Sequence, residues 1–158
     1  MKILFIIIFI FSFSGVYSQD TLKIRHIDSL VSDIKGSTLP IQIDTLIQDI
    51  PQMGIKTTTY LTTIVHNNEL IKFVNYVNST ITENGIPKQM TASNAFYYYH
   101  NSLIKVEEFV NEGDKKGVAD WYYSEDKPLY YTLNSDKSEE RAAFLLTLSK
   151  TMLKQIIK

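Results

Sequence analysis

Apolar and polar positions change period twice along the chain. Ile24, Ile27, Leu30, Val31 and Ile34 recur at steps of three and four, which gathers them on one helical face. Gly36 and then Pro40 end that pattern. Asp20 or Thr21 supplies an oxygen that can cap its start. Residues 39–54 are mixed: Ile41 and Ile43 alternate with polar residues as in a strand, whereas Leu46, Ile47 and Ile50 fit a helical turn. Pro51 and Gly54 close the stretch, and a short strand or loop is expected there.

From Ile55 the chain takes on strand character. Thr57 to Thr63 is rich in β-branched residues and leads into Ile64 and Val65, Asn67-Asn68 carries turn chemistry, and Leu70 to Val77 follows as a second strand. Glu83-Asn84-Gly85 contains the Asn-Gly pair that most strongly signals a hairpin. Further strands are expected at Ala95–Tyr99, Leu103–Val110, Val118–Tyr123 and Leu129–Leu133, joined by Asn101-Ser102, Gly113 to Gly117 and Ser124 to Pro128. The last segment returns to helical spacing. Ala142, Leu145, Leu146, Met152, Leu153 and Ile156 share a face that Ser149 interrupts, Asp136 and Glu139 resemble a capping box, and Lys150, Lys154 and Lys158 suit the helix C-terminus. The pattern predicts an α+β domain: an N-terminal helix, an antiparallel β-meander of five to seven strands with repeated hairpins, and a C-terminal helix packed on one sheet face.

The hairpins repeat. Leu70-Ile71-Lys72-Phe73-Val74-Asn75-Tyr76-Val77-Asn78 matches Leu103-Ile104-Lys105-Val106-Glu107-Glu108-Phe109-Val110-Asn111 at a constant offset of 33 (from 70 to 103). A His-Asn pair precedes each copy, His66-Asn67 and His100-Asn101, so the two histidines are expected at equivalent places. Lys127-Pro128-Leu129-Tyr130-Tyr131 reads as a weaker third copy. Asn75 and Glu108 break the apolar alternation on faces that otherwise carry Phe73 and Val106.

The opening residues change the compartment. Lys2 precedes an apolar run from Ile3 to Phe13, interrupted by Ser12, and a more polar stretch follows to Gln19. That layout predicts a signal peptide over 1–18, cleaved after Ser18 or Gln19, and a single domain over 19–158, periplasmic or secreted. Membrane contact is expected only through the uncleaved leader. With no cysteine anywhere, thiol chemistry and disulfides are excluded, and the domain must rely on packing. The formal charge of −1 becomes −2 when Lys2 leaves with the leader, which gives no electrostatic footing for nucleic acid.

Candidate chemistry concentrates late in the chain. Seven of the ten tyrosines lie between 97 and 131: Tyr97, Tyr98, Tyr99, Tyr122, Tyr123, Tyr130 and Tyr131, with Trp121 among them. Neighbours on a strand point to opposite faces, so these aromatics occupy both sides of the sheet, and those on the open side would form a binding surface. His66 and His100 are the candidates for acid-base work. No phosphate loop, nucleophile elbow or zinc-protease motif is present, and no cofactor is expected.

The Ile-, Asn- and Lys-rich composition, the leader without a lipid-accepting cysteine and the tyrosine-rich hairpins resemble small exported proteins of unknown function from Bacteroidota-type bacteria. That resemblance implies an exported location and no particular activity. The sequence therefore favours a non-enzymatic binding or interaction module that meets a protein, peptide or glycan through its Tyr/Trp-rich sheet surface. A small extracytoplasmic hydrolase using His and carboxylates, and a structural envelope component, are the alternatives.

Overall fold

Six residues other than glycine adopt a positive φ among the described residues, and they come in three adjacent pairs: Asn67-Asn68, His100-Asn101 and Glu125-Asp126. Two consecutive left-handed residues make the type I′ turn, whose twist matches that of the strands it joins. The computed structural model describes residues 20–83, 85–133 and 135–157. Within it the three turns join β2 (Ile55–His66) to β3 (Glu69–Glu83), β4 (Ile86–Tyr99) to β5 (Ser102–Glu112), and β6 (Lys115–Ser124) to β7 (Lys127–Tyr131). β1 (Gln42–Ile50) precedes them, and the helix α2 (Ser138–Ile156) follows. The seven strands form one antiparallel sheet in the order of the sequence.

Just after each type I′ turn, one residue falls out of register. Ile64 pairs with Lys72 but Val65 with Leu70, so Ile71 is the extra residue. Ile104 and Leu129 take the same place in the next two hairpins. A bulge bends its strand and sharpens the twist. The duplicated sequence is thus a duplicated device of turn and bulge, and the weak third copy shares it.

Register also corrects the expected equivalence of the histidines. The offset of 33 maps Asn67-Asn68 onto His100-Asn101, so His100 corresponds to Asn67, and His66, the last residue of β2, corresponds to Tyr99. The shared His-Asn dipeptide is out of phase with the repeat.

The expected strands are present and mostly longer. β4 begins nine residues before Ala95 because its polar first half is held by pairing with β3 (Thr82↔Pro87 to Val74↔Ala95). Pro87 sits beyond the first β5 pairing, Met90↔Glu112, where its missing N–H breaks no ladder on that side. The ambiguous stretch before Pro51 is a full edge strand, β1. A 3-10 turn over Pro51–Met53 then reverses the chain through Gly54, whose φ of 63 and N–H to the Pro51 carbonyl close the turn.

The core lies between α2 and one sheet face. Phe96, Tyr98, Leu103, Val106, Ala119, Trp121 and Tyr123 from the strands pack with Ala142 and Leu145 of α2. Ser149, which interrupts the apolar stripe, is itself buried. Its carbonyl stands 3.5 Å from the Tyr98 hydroxyl, and its own hydroxyl donates to the Leu146 carbonyl. A small residue there leaves room for the phenol. Glu108, the acid that breaks the alternation of β5, accepts both Nε and a terminal nitrogen of Arg141 and so ties α2 to the sheet. The expected capping box does not form. Lys137 is the N-cap without a side-chain bond, and Ser138 instead donates to the Leu133 carbonyl at 2.7 Å.

The chain divides after Gly36 into two compact units. The earlier one contains the predicted N-terminal helix, α1, over 20–36, in which Ile27 and Val31 are buried. The predicted signal peptide lies outside the described residues. No described helix is long and apolar enough to cross a membrane.

Candidate functional site

Alternation assigns the candidate aromatics to two faces, and burial then divides them again. Tyr98, Trp121 and Tyr123 belong to the face under α2 and are core residues. The Trp121 ring lies 5.5 Å from that of the half-buried Tyr131, and the Tyr123 hydroxyl donates to the Ala142 carbonyl at 3.1 Å. Tyr97 and Tyr122 point the other way and are also buried. Tyr99 and Tyr130 alone among the eight are exposed. The expected Tyr/Trp surface is therefore corrected: five of its members, Tyr97, Tyr98, Trp121, Tyr122 and Tyr123, lie inside the protein. Large rings on β4 and β6 remove the most apolar area from water where they are buried.

Tyr97 and Tyr122 frame a cluster that the tyrosine density did not disclose. Cross-strand pairing sets Lys72, Tyr97, Lys105, Tyr122 and Tyr130 in one row. The Lys105 ammonium is buried, lies 4.6 Å from the Tyr122 ring centre, and contacts Asp120 at 3.1 Å and Glu107 at 3.4 Å. The Tyr97 hydroxyl donates to Glu107 at 2.9 Å, and Lys72 lies over the Tyr97 ring. A buried ammonium needs this company, because an unpaired charge out of water is far costlier than a paired one. Burial raises the Tyr97 phenol well above its ordinary pKa, and the bond to Glu107 adds to the rise. Burial likewise raises Tyr98 and Tyr123. The one signal for this cluster in the sequence was the identity of Lys72 and Lys105 in the repeat.

The histidines stand at the turn end of the sheet. His66 is exposed and pairs in register with Glu69, whose carboxylate lies 3.1 Å from His100 Nδ1. The His100 ring also lies 4.1 Å from that of Tyr99, tilted by 55°, and its contact with Glu69 links two neighbouring turns. No three His, Asp or Glu side chains among the described residues are placed to hold a metal ion.

Exposed apolar side chains instead gather on the face that carries the Lys105 cluster. One cross-strand row runs Thr45, Tyr60, Tyr76, Ser93, Phe109, Val118. In it Tyr60 and Tyr76 are exposed with ring centres 6.1 Å apart, and Val118 is 77 % exposed. Ile43, Ile47 and Tyr130 are exposed on the same face. Tyr60 and Tyr76 fall outside the dense tyrosine segment, so sequence reasoning passed over them.

No protein-family model, curated protein or solved structure matches the chain.

Proposed function

We propose that this chain is an exported, non-enzymatic interaction module that takes an extended protein segment across the sheet face bearing Tyr60 and Tyr76. The supporting observation is the cross-strand row in which Tyr60, Tyr76 and Val118 are exposed and Phe109 half-buried, flanked by the exposed Ile43, Ile47 and Tyr130. Single exposed apolar residues are ordinary on a protein surface, whereas contiguous ones mark interaction surfaces. Tyrosine suits such a surface because it offers rigid apolar area with a polar tip at small entropic cost. The leader and the resemblance to small exported proteins support the location.

The test is selection of peptides from a random displayed library on the immobilised chain. The native protein should enrich a family of peptides that the Tyr60→Ala/Tyr76→Ala variant, folded by circular dichroism, no longer retains. Equal enrichment by both proteins, or none by either, would refute the reading. Export is tested separately by the mass of the mature chain, which should begin at Gln19 or Asp20; a chain recovered from outside the cytoplasm that still begins at Met1 would refute it.

A further inference from the structure

We propose that β1 pairs with β1 of a second copy of this chain, antiparallel about a two-fold axis at Leu46, so that two seven-stranded sheets become one. This inference is independent of the peptide-binding reading. Among the described residues β1 is an edge strand, hydrogen-bonded to β2 on one side only, and all nine of its residues are exposed. Four of them are large and apolar: Ile43, Leu46, Ile47 and Ile50. Proteins protect such an edge with charged side chains, proline, a bulge or a short strand, and of these Gln42–Ile50 has only the acids Asp44 and Asp49.

The opposite edge is protected. β7 has five residues, includes Pro128, and is packed by α2. A head-to-tail chain of sheets joined β1 to β7 is therefore disfavoured, whereas β1 to β1 closes on itself after two copies.

The sequence of β1 is compatible with itself in one full-length register. Around Leu46 opposite Leu46, Asp44 meets Gln48 and Gln42 meets Ile50 on one face, while Ile43 meets Asp49 and Thr45 meets Ile47 on the other. No acid stands opposite an acid, a placement that would destabilise the pair. Sliding by two residues either shortens the ladder or draws Pro40 or Pro51 into it, and proline has no N–H to donate. Pairing supplies partners to the outward backbone groups of the edge and brings Ile47 of the two copies into diagonal contact.

The absence of cysteine makes the register readable. In the chain as purified after export, Leu46→Cys places two thiols directly across the axis, with Cβ atoms about 5 Å apart. Mild oxidation should give a covalent dimer. Ile43→Cys should stay at background, because its two copies would lie about 20 Å apart along the strands. Sedimentation velocity should find the native chain dimeric. Leu46→Lys and Leu46→Glu should each be monomeric with native circular dichroism, and mixing them should restore a dimer. A monomeric native chain, equal crosslinking at 43 and 46, or a dimer indifferent to Leu46→Lys would overturn the proposal. A dimer that survives Tyr60→Ala/Tyr76→Ala would uphold it even where peptide selection fails.

Discussion

The backbone N–H of Leu70 donates to the side-chain oxygen of Asn101 at 2.9 Å, across 31 residues of sequence. One type I′ turn thus holds the start of the strand that leaves the other. The Glu69–His100 contact runs in parallel beside it. The same asparagine has a φ of 59, so it serves both the turn and the link between turns.

The two roles of Asn101 separate by substitution. Asn101→Gly keeps the left-handed conformation but loses the acceptor, and should cost about 1 kcal/mol in denaturant unfolding. Asn68→Gly, at the equivalent turn position, should be neutral to within a few tenths of a kcal/mol. Equal losses at the two sites would mean that the link contributes nothing.

The aromatic residues beneath α2 should behave as core. Trp121→Ala and Tyr98→Ala should each lower stability by about 3–5 kcal/mol, as large aromatic truncations do. Removing only the hydroxyl discriminates further. Tyr123→Phe should cost about 1 kcal/mol, and Tyr98→Phe less, because its 3.5 Å contact to Ser149 is long for a hydrogen bond. The reverse order would sink this account of how the helix is held.

Alkali should unfold the protein through Tyr97, Tyr98 and Tyr123. In the unfolded chain these phenols ionise near pH 10, while burial keeps them protonated well above it in the native state. Below that pH both states hold the protons and these groups add no pH dependence. Above it the unfolded chain has released protons that the native chain retains, so stability falls as pH rises. Phenolate absorbance and far-ultraviolet circular dichroism, recorded together, should show a last group of tyrosines ionising only as the sheet is lost. Complete ionisation with the sheet intact would contradict the burial.

Gly54 and Gly113 both have a positive φ, but only one is crowded. A Cβ at Gly54 would lie 3.0 Å from the Thr82 carbonyl oxygen, whereas nothing among the described residues lies within 4 Å of one at Gly113. Gly113→Ala should cost about 1 kcal/mol for backbone conformation alone. Gly54→Ala should cost about 1–3 kcal/mol, since Thr82 also donates its N–H to the Gly54 carbonyl. Melting temperatures of the two variants would settle the order.

Turns and both helices were legible in the sequence because their signals are local. Asn67-Asn68 tolerates left-handed backbone, and the stripe ending at Ile156 has helical period. The polar half of β4 was not legible, because neighbouring strands rather than its own residues hold it extended. Alternation showed that Tyr97 and Tyr98 face opposite ways, yet not that both sides bury them. The meaning of Glu108 and Ser149 as exceptions to pattern emerged only beside Arg141 and Tyr98, since each exception is a contact with a residue far along the chain.

The three turn-and-bulge devices all lie at one end of the sheet, spaced 33 residues apart (from 67 to 100) and then 25 (from 100 to 125). The difference falls wholly in the hairpins at the other end, where β3 and β4 outreach β5 and β6. The sheet is therefore built like a comb with a fixed spine and teeth of unequal length. Residues can be added in matched pairs at the tip beyond Glu83 and Ile86 without moving a side chain under α2, which makes that tip the natural place to graft new sequence.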